Sequence, residues 1–149
     1  MAPVAREADV KATPETIWKT CFEEMKFETW DPDVVRLEDV SDGGCVNGTT
    51  FSFVMKEGPL EKVPCTLSNV KTNESLTFSG VAMGGLMQFS GTVEITKKGD
   101  KESHIKYTFE MAGCLGSFFS FLNPKPIVHG TEAGLANMVK LSEEKESSS

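Results

Sequence analysis

Residues 87–96 alternate between apolar and polar side chains more regularly than any other part of the chain. Met87, Phe89, Val93 and Ile95 fall on one face, with Gly91 between them, and the intervening side chains are polar. This period of two predicts a β-strand with one packed face and one face in water. A sheet with a single apolar face must be covered by another layer.

The strand continues into a predicted hairpin. Residues 97–100, Lys-Lys-Gly-Asp, read as a turn, and the returning segment places apolar side chains at every second position: Ile105, Tyr107, Phe109 and Met111. Five earlier segments show the same period: 4–11, 34–38, 50–56, 61–71 and 75–82. Because short turns join most of these segments, neighbours are predicted to pair antiparallel in a sheet of six to seven strands. Gly80 and Gly91 are predicted to relieve crowding where that sheet bends.

Helical patterns flank the strands. Thr13 is a predicted N-cap, followed by Pro14 at the first helical position. A second short helix is predicted over residues 29–33, where Pro32 forces a turn. A long helix is predicted from about residue 127 to about residue 144, with Leu135 and Met138 on its apolar face. Residues 145–149 form a polar tail that is predicted to be disordered.

Four stretches then carry a family resemblance. Residues 12–18 (ATPETIW) and 30–32 (WDP) resemble the start of START-like (SRPBCC) domains, the superfamily of polyketide cyclases and plant Bet v 1 allergens. The glycine-rich stretch over residues 40–50 is similar to that superfamily's turn between the second and third strands. Residues 134–140 (GLANMVK) resemble its closing helix. Each motif is short, and their order and spacing over residues 4–144 carry the resemblance.

The resemblance implies an α+β helix-grip fold in one domain over residues 1–144. In that fold a curved antiparallel sheet with two short helices after its first strand wraps around a long C-terminal helix, and a cavity remains between them. Members bind lipids, sterols, polyketides or plant hormones, and only some are enzymes. The sequence lacks a match to the lysine, tyrosine and glutamate of the catalytic plant members, which favours a non-catalytic binding protein.

The predicted inward face is almost wholly apolar, which is typical of ligand cavities and also of a solid core. Residues 113–122 and Trp30 are predicted to guard the entrance. The Tyr107 hydroxyl is the inward polar group that a ligand oxygen, a water or the protein must satisfy. The predicted ligand-binding residues are Trp30, Phe53, Met55, Cys65, Leu67, Phe78, Met87, Phe89, Tyr107, Phe109, Met111, Phe118, His129, Gly134 and Met138.

Candidate catalytic groups are few. Tyr107 and His129 are the candidates for proton transfer, and Cys65 with His129 is a candidate nucleophile pair. His104 falls on the outward face of its strand, and Asp31 and Asp33 suit a turn around Pro32. The two histidines and the cysteine spacing match no metal motif, and no nucleotide-binding fingerprint occurs. Neither a metal nor a cofactor is therefore predicted.

Composition narrows the function classes further. The net charge of −7 disfavours nucleic-acid binding, since phosphates repel an acidic surface. The four scattered cysteines indicate free thiols and, with a polar start and no long apolar run, a cytoplasmic protein without membrane insertion. It is predicted to be a monomer or a weak dimer through Phe118 and its aromatic neighbours.

Three functions are compatible with these patterns. The first is binding or carriage of a hydrophobic small molecule such as a lipid, sterol, pigment or polyketide-like compound. The alternative is a polyketide cyclase or aromatase that uses the same cavity. The third is a protein-interaction domain.

Overall fold

A computed structural model of the chain describes residues 3–57, 60–113 and 125–148. It contains a single seven-stranded sheet, with strands in the order β1-β7-β6-β5-β4-β3-β2 and every neighbouring pair antiparallel. The strands are β1 (Val4–Val10), β2 (Val34–Glu38), β3 (Thr50–Met55), β4 (Lys62–Lys71), β5 (Ser75–Ala82), β6 (Met87–Gly99) and β7 (Glu102–Ala112). The helices are α1 (Pro14–Cys21) and α2 (Lys125–Ser147). This architecture confirms the predicted helix-grip fold.

The predicted hairpin is the centre of the sheet. Strands β6 and β7 pair from Gln88 opposite Ala112 down to Gly99 opposite Glu102, with an irregularity near Gly99. Val93 and Tyr107 stand opposite each other and are both buried, whereas Glu94 at the next position is exposed. The period of two therefore separates a packed inward face from a solvated outward face, as the sequence predicts.

Helix α1 begins where the sequence indicates. The Thr13 side chain accepts a hydrogen bond from the Thr16 amide at 3.1 Å, and Pro14 opens the helix. In place of the helix predicted over residues 29–33, the structure has a 3-10 turn over Phe27–Thr29, which ends before Pro32. Proline lacks an amide hydrogen and disfavours helix in the residue before it, so this turn is not extended.

Helix α2 covers the inward face and extends to Ser147, beyond the predicted end near residue 144. Its last turns are tied to the segment before α1. Glu143 accepts a hydrogen bond from the Lys11 amide at 2.9 Å, and Glu146 accepts from the Thr13 amide at 2.8 Å and the Thr16 hydroxyl at 3.2 Å. These contacts order a region whose polar composition by itself predicts fraying.

An aromatic cluster fills the space between α1, the 3-10 turn and the sheet. Phe22, Phe27 and Trp30 are wholly buried, and Phe78 reaches them from β5. The ring of Phe27 lies 5.3 Å from that of Trp30 and 5.9 Å from that of Phe78. Burial of large aromatic side chains is a major source of core stability, and this cluster forms the packed half of the domain.

Candidate functional site

The predicted ligand-binding residues fall into two groups. One group is buried within the packed half of the domain, each residue no more than 8% exposed. Its members are Trp30, Phe53, Cys65, Leu67, Phe78, Met87, Tyr107 and Met138. Gly134 is buried as well. All of them except Met87 and Gly134 belong to one buried core cluster, so they present little surface to a guest.

Trp30 shows this clearly. Its indole nitrogen donates to the Cys21 carbonyl at 3.1 Å, and its own carbonyl accepts from the Asn137 side chain at 2.9 Å. The side chain is 0% exposed. Trp30 therefore joins α1 to α2 in the core, and the prediction that it stands at an entrance is corrected. Its 3-10 turn draws the ring inward against Phe27.

The second group points to the same inward side but is only half-buried. It comprises Met55, Phe89, Phe109 and Met111. Phe89 stands opposite Met111 in the β6–β7 register, and the rings of Phe89 and Phe109 stack at 6.4 Å with an interplanar angle of 18°. We call these four side chains together the apolar patch. Their partial exposure leaves apolar surface accessible on the inward side of the sheet.

Tyr107 borders the apolar patch, two residues before Phe109 on the same face of β7. Its ring is perpendicular to that of Trp30 at 5.7 Å, and its Cε2 lies 3.2 Å from where a Cβ on Gly134 would stand. The Tyr107 side chain is only 3% exposed. Burial first, then the nearby carboxylates of Asp31 and Asp33, raises its pKa well above the ordinary value.

Asp31 and Asp33 form the turn that the sequence indicates. The Asp33 amide donates to the Asp31 side chain at 3.0 Å, and the Asp33 carbonyl accepts from the Lys56 amide at 3.0 Å. The second bond holds the turn beside the end of β3, where Met55 belongs to the apolar patch. Burial raises the pKa of Asp31 to about 6. The sequence indicates a turn role for both aspartates but not their electrostatic effect on Tyr107, which depends on the fold.

Other candidates lie elsewhere. His129 is exposed on the first turns of α2, and no hydrogen bond joins it to Cys65 within the described ranges. Burial raises the pKa of the Cys65 thiol to about 12, which argues against a nucleophile there. Phe118 and most of the predicted entrance segment 113–122 lie outside the described residues. His104 faces outward as predicted, where it contacts Glu7 and Asp9 at 2.8 Å each.

Two further findings concern the described ranges only. Residues 3–57, 60–113 and 125–148 contain no cluster of three or more His, Cys, Asp or Glu side chains arranged to hold a metal ion. No helix in the same ranges has the length and apolar character needed to span a membrane.

A concavity of about 850 Å³ lies on the opposite, outward face of the sheet. Its lining includes Ser52, Thr66, Ser79 and Ser90, which alternate with inward-facing residues in the strand registers. Cys65 and Phe89, two of the predicted ligand-binding residues, also belong to its lining.

Comparison with known families supports the fold assignment. A family model described as polyketide cyclase / dehydrase and lipid transport matches residues 1–143. No curated protein matches the chain.

Solved structures share the architecture at low sequence identity. A hypothetical protein from Helicobacter pylori superposes with a TM-score of 0.77 at 14% identity, covering 95% of this chain and 88% of that one. Norcoclaurine synthase from Thalictrum flavum, in complex with dopamine and hydroxybenzaldehyde, superposes with a TM-score of 0.71 at 19% identity, covering 96% and 87%. XoxI from Bacillus cereus gives 0.68 at 14% identity, covering 94% of each chain. At these identities the similarity shows a common Bet v 1-like fold.

Proposed function

The chain belongs to the polyketide cyclase / dehydrase and lipid transport family, and from that premise we propose that it binds and carries a hydrophobic small molecule on the inward face of its sheet. The family and the Bet v 1-like architecture are those of a hydrophobic ligand-binding fold. A lipid, sterol, pigment or polyketide-like compound has the required apolar body.

The observation that carries this proposal is the apolar patch. Phe89, Phe109, Met55 and Met111 face the covered side of the sheet and remain half-buried, while their neighbours in the aromatic cluster are fully buried. Covering apolar surface is favourable by roughly 25 cal/mol per Å² before ordering costs. Methionine side chains adapt to different ligand shapes, which suits a site selected by size and apolarity.

The test is a fluorescence titration with N-phenyl-1-naphthylamine, an uncharged apolar probe. We expect the wild-type protein to bind the probe and Phe89→Asp to lose binding at least tenfold, because a carboxylate in the patch must be desolvated. Val81→Asp is the matched control, since Val81 is 56% exposed on the neighbouring strand. It should bind as the wild type does.

A second variant keeps the test decisive if Phe89→Asp unfolds. Met111→Trp fills the space next to Phe89 without introducing charge, and it should weaken the probe while circular dichroism stays native. The proposal is rejected if the wild type does not bind the probe. It is also rejected if Phe89→Asp and Met111→Trp, both folded, bind the probe as tightly as the wild type does.

A cyclase or aromatase role is the second candidate, favoured by one specific observation. Asp31, whose pKa burial raises to about 6, lies in electrostatic reach of the buried Tyr107 hydroxyl. A carboxyl group with that pKa can exchange protons near neutral pH. The test is turnover of a linear β-polyketone thioester, which Tyr107→Phe should slow at least tenfold. No turnover by the wild type, or an unchanged rate in the variant, rejects this role.

We also propose a cytoplasmic, single-domain protein that is a monomer or a weak dimer. The free thiols of Cys21, Cys45 and Cys65 support a reducing compartment. Sedimentation velocity over a hundredfold concentration range tests the assembly state, and a concentration-independent dimer would contradict it.

A further inference from the structure

The hairpin between β5 and β6 ends in a tip that is both apolar and exposed. We call residues 81–86 the β5–β6 tip. Val81 is 56% exposed, Met83 46% and Leu86 47%. These three are half of the exposed large apolar side chains within residues 3–57, 60–113 and 125–148, although the tip is short. Isolated apolar side chains on a surface need no explanation, whereas a group of them marks an interaction site.

The backbone of the tip keeps these side chains away from the sheet. Met83, Gly84 and Gly85 have φ angles of 55°, 68° and 95°, so three successive residues are left-handed. That conformation is uncommon and unfavourable for a residue with a side chain. A Cβ built on Gly84 or Gly85 would meet no atom of the described part of the chain within 4 Å. The turn therefore projects from the sheet, and the strain at Met83 is accepted where an apolar side chain is displayed.

The hairpin that carries the tip has no charged side chain. Residues 75–93 include no Asp, Glu, Lys, Arg or His, and this is the longest such stretch in a chain with 15 basic and 22 acidic side chains. The tip can therefore leave water without the cost of desolvating a charge. It also offers no cation to an anionic surface, which the net charge of −7 repels.

These properties favour a lipid bilayer over a protein as the partner of the tip. A specific protein interface buries roughly 800 Å² on each partner, which is far more than three half-exposed side chains on a hairpin turn can supply. The boundary between headgroups and acyl chains accepts apolar side chains without requiring a complementary shape. Because the tip is uncharged, a zwitterionic bilayer suits it better than an anionic one.

We propose that the β5–β6 tip is a membrane-contact site that places Met83 and Leu86 in the headgroup boundary of a zwitterionic bilayer. The contact is peripheral and reversible, since so few side chains bury less apolar area than a lipid anchor does. It goes beyond ligand binding on the sheet. One consequence rests on the proposed function: β6 leads from the tip to Phe89, which stands opposite Met111, so a ligand that leaves the bilayer there is close to the apolar patch.

The experiment measures how the full chain partitions onto sucrose-loaded vesicles of dioleoylphosphatidylcholine, by sedimentation over a range of lipid concentrations. We expect the wild type to bind and the double variant Met83→Ser with Leu86→Ser to lose at least fivefold in partition coefficient. The matched control is Val35→Ser with Val40→Ser. It removes two apolar side chains of similar exposure, 43% and 41%, on and beside β2, three strands away from β5. The control should stay within twofold of the wild type.

Circular dichroism should show that both double variants are folded, because the substituted side chains are exposed. The inference is overturned if folded wild type does not bind these vesicles, or if the control loses as much binding as the tip variant. It is also overturned if the protein binds only vesicles that contain phosphatidylglycerol, because an electrostatic surface would then be responsible.

Two lipid-free measurements separate the remaining explanations. Sedimentation velocity should give the same assembly state for the wild type and the tip variant; a dimer that only the tip variant loses overturns the inference, since the tip would then be a protein contact. N-phenyl-1-naphthylamine should bind the tip variant as it binds the wild type. Failure of the wild type to bind this probe rejects the proposed function, whereas vesicle binding that depends on the tip would still uphold the membrane contact.

Discussion

The phenyl ring of Phe78 lies directly over Gly91, the residue opposite it on the neighbouring strand. A side chain at position 91 would overlap this ring. The ring of Phe78 also contacts the rings of Phe53 at 5.6 Å and Tyr107 at 6.5 Å. Phe78 can therefore take this position in the aromatic cluster because Gly91 has no side chain.

Gly91→Ala is therefore expected to destabilise the protein by about 1–3 kcal/mol, the usual cost of overpacking a core, although alanine is otherwise no worse than glycine in a strand. Urea unfolding followed by circular dichroism measures the change. Gly99→Ala is the control, because the nearest atom to its new methyl group is Glu102 Cβ at 3.7 Å. Equal stabilities for the two variants would contradict the packing account.

The sheet was predictable because its signal is local. The alternation at Met87, Phe89, Val93 and Ile95 assigns each side chain to a face, and short turns leave antiparallel pairing as the simple solution. The pairing of Gly91 with Phe78 was not predictable, since it depends on the register between two strands. The end of α2 was missed for a similar reason: the hydrogen bonds of Glu146 to Thr13 and Thr16 join distant parts of the chain.

The contact between Asn137 and Trp30 supplies the second prediction. The Asn137 side chain donates to the Trp30 carbonyl at 2.9 Å, and its loss leaves that carbonyl without this donor. Asn137→Ala should destabilise by about 1 kcal/mol, because the lost hydrogen bond outweighs the better helix propensity of alanine. Thermal and urea unfolding measure this. Lys140→Ala, on the exposed face of α2, should change stability by less than about 0.5 kcal/mol; a larger effect there than at Asn137 would count against the contact.

The His104 cluster predicts a pH dependence. Hydrogen bonds with Asp9 and then Glu7 raise the pKa of His104 above 6.5, and the bond to His104 lowers the pKa of Glu7 below 4.5 and that of Asp9 below 3.8. The stabilisation that comes from protonated His104 is fully present below pH 6.5 and is lost as the pH rises through its raised pKa. The stabilisation that comes from ionised Glu7 and Asp9 is present above pH 4.5 and is lost as the pH falls through their lowered pKa values.

The stabilisation by this cluster is accordingly greatest between pH 4.5 and 6.5. The free energy of unfolding of wild type minus that of His104→Gln should be larger at pH 6 than at pH 8.5, by a small amount because the groups are exposed. If this difference in the free energy of unfolding is larger at pH 8.5 than at pH 6, the raised pKa of His104 is refuted.

The candidate site was only partly predictable. Sequence periodicity places Phe89, Phe109 and Tyr107 on one face, but it cannot separate a filled core from an open lining, because both need apolar side chains. The difference between wholly buried Trp30 and half-buried Phe89 arises from how α1, α2 and the 3-10 turn pack. The sequence around Asp31 predicts a turn, whereas the burial that raises the pKa of Asp31 arises only in the assembled fold.

The central claim places an apolar guest against Met55 and Met111 on the inward face of the sheet. Methyl NMR of protein labelled with ¹³C at its methionine methyl groups, titrated with decanol, tests this position directly. Met25 and Met138, packed within the core, and Met83, 46% exposed, serve as internal controls. The account predicts intermolecular NOEs from the decanol chain to the Met55 and Met111 methyl groups and none to Met25 or Met138; NOEs confined to Met83, or none to any methionine at saturating decanol, would contradict it.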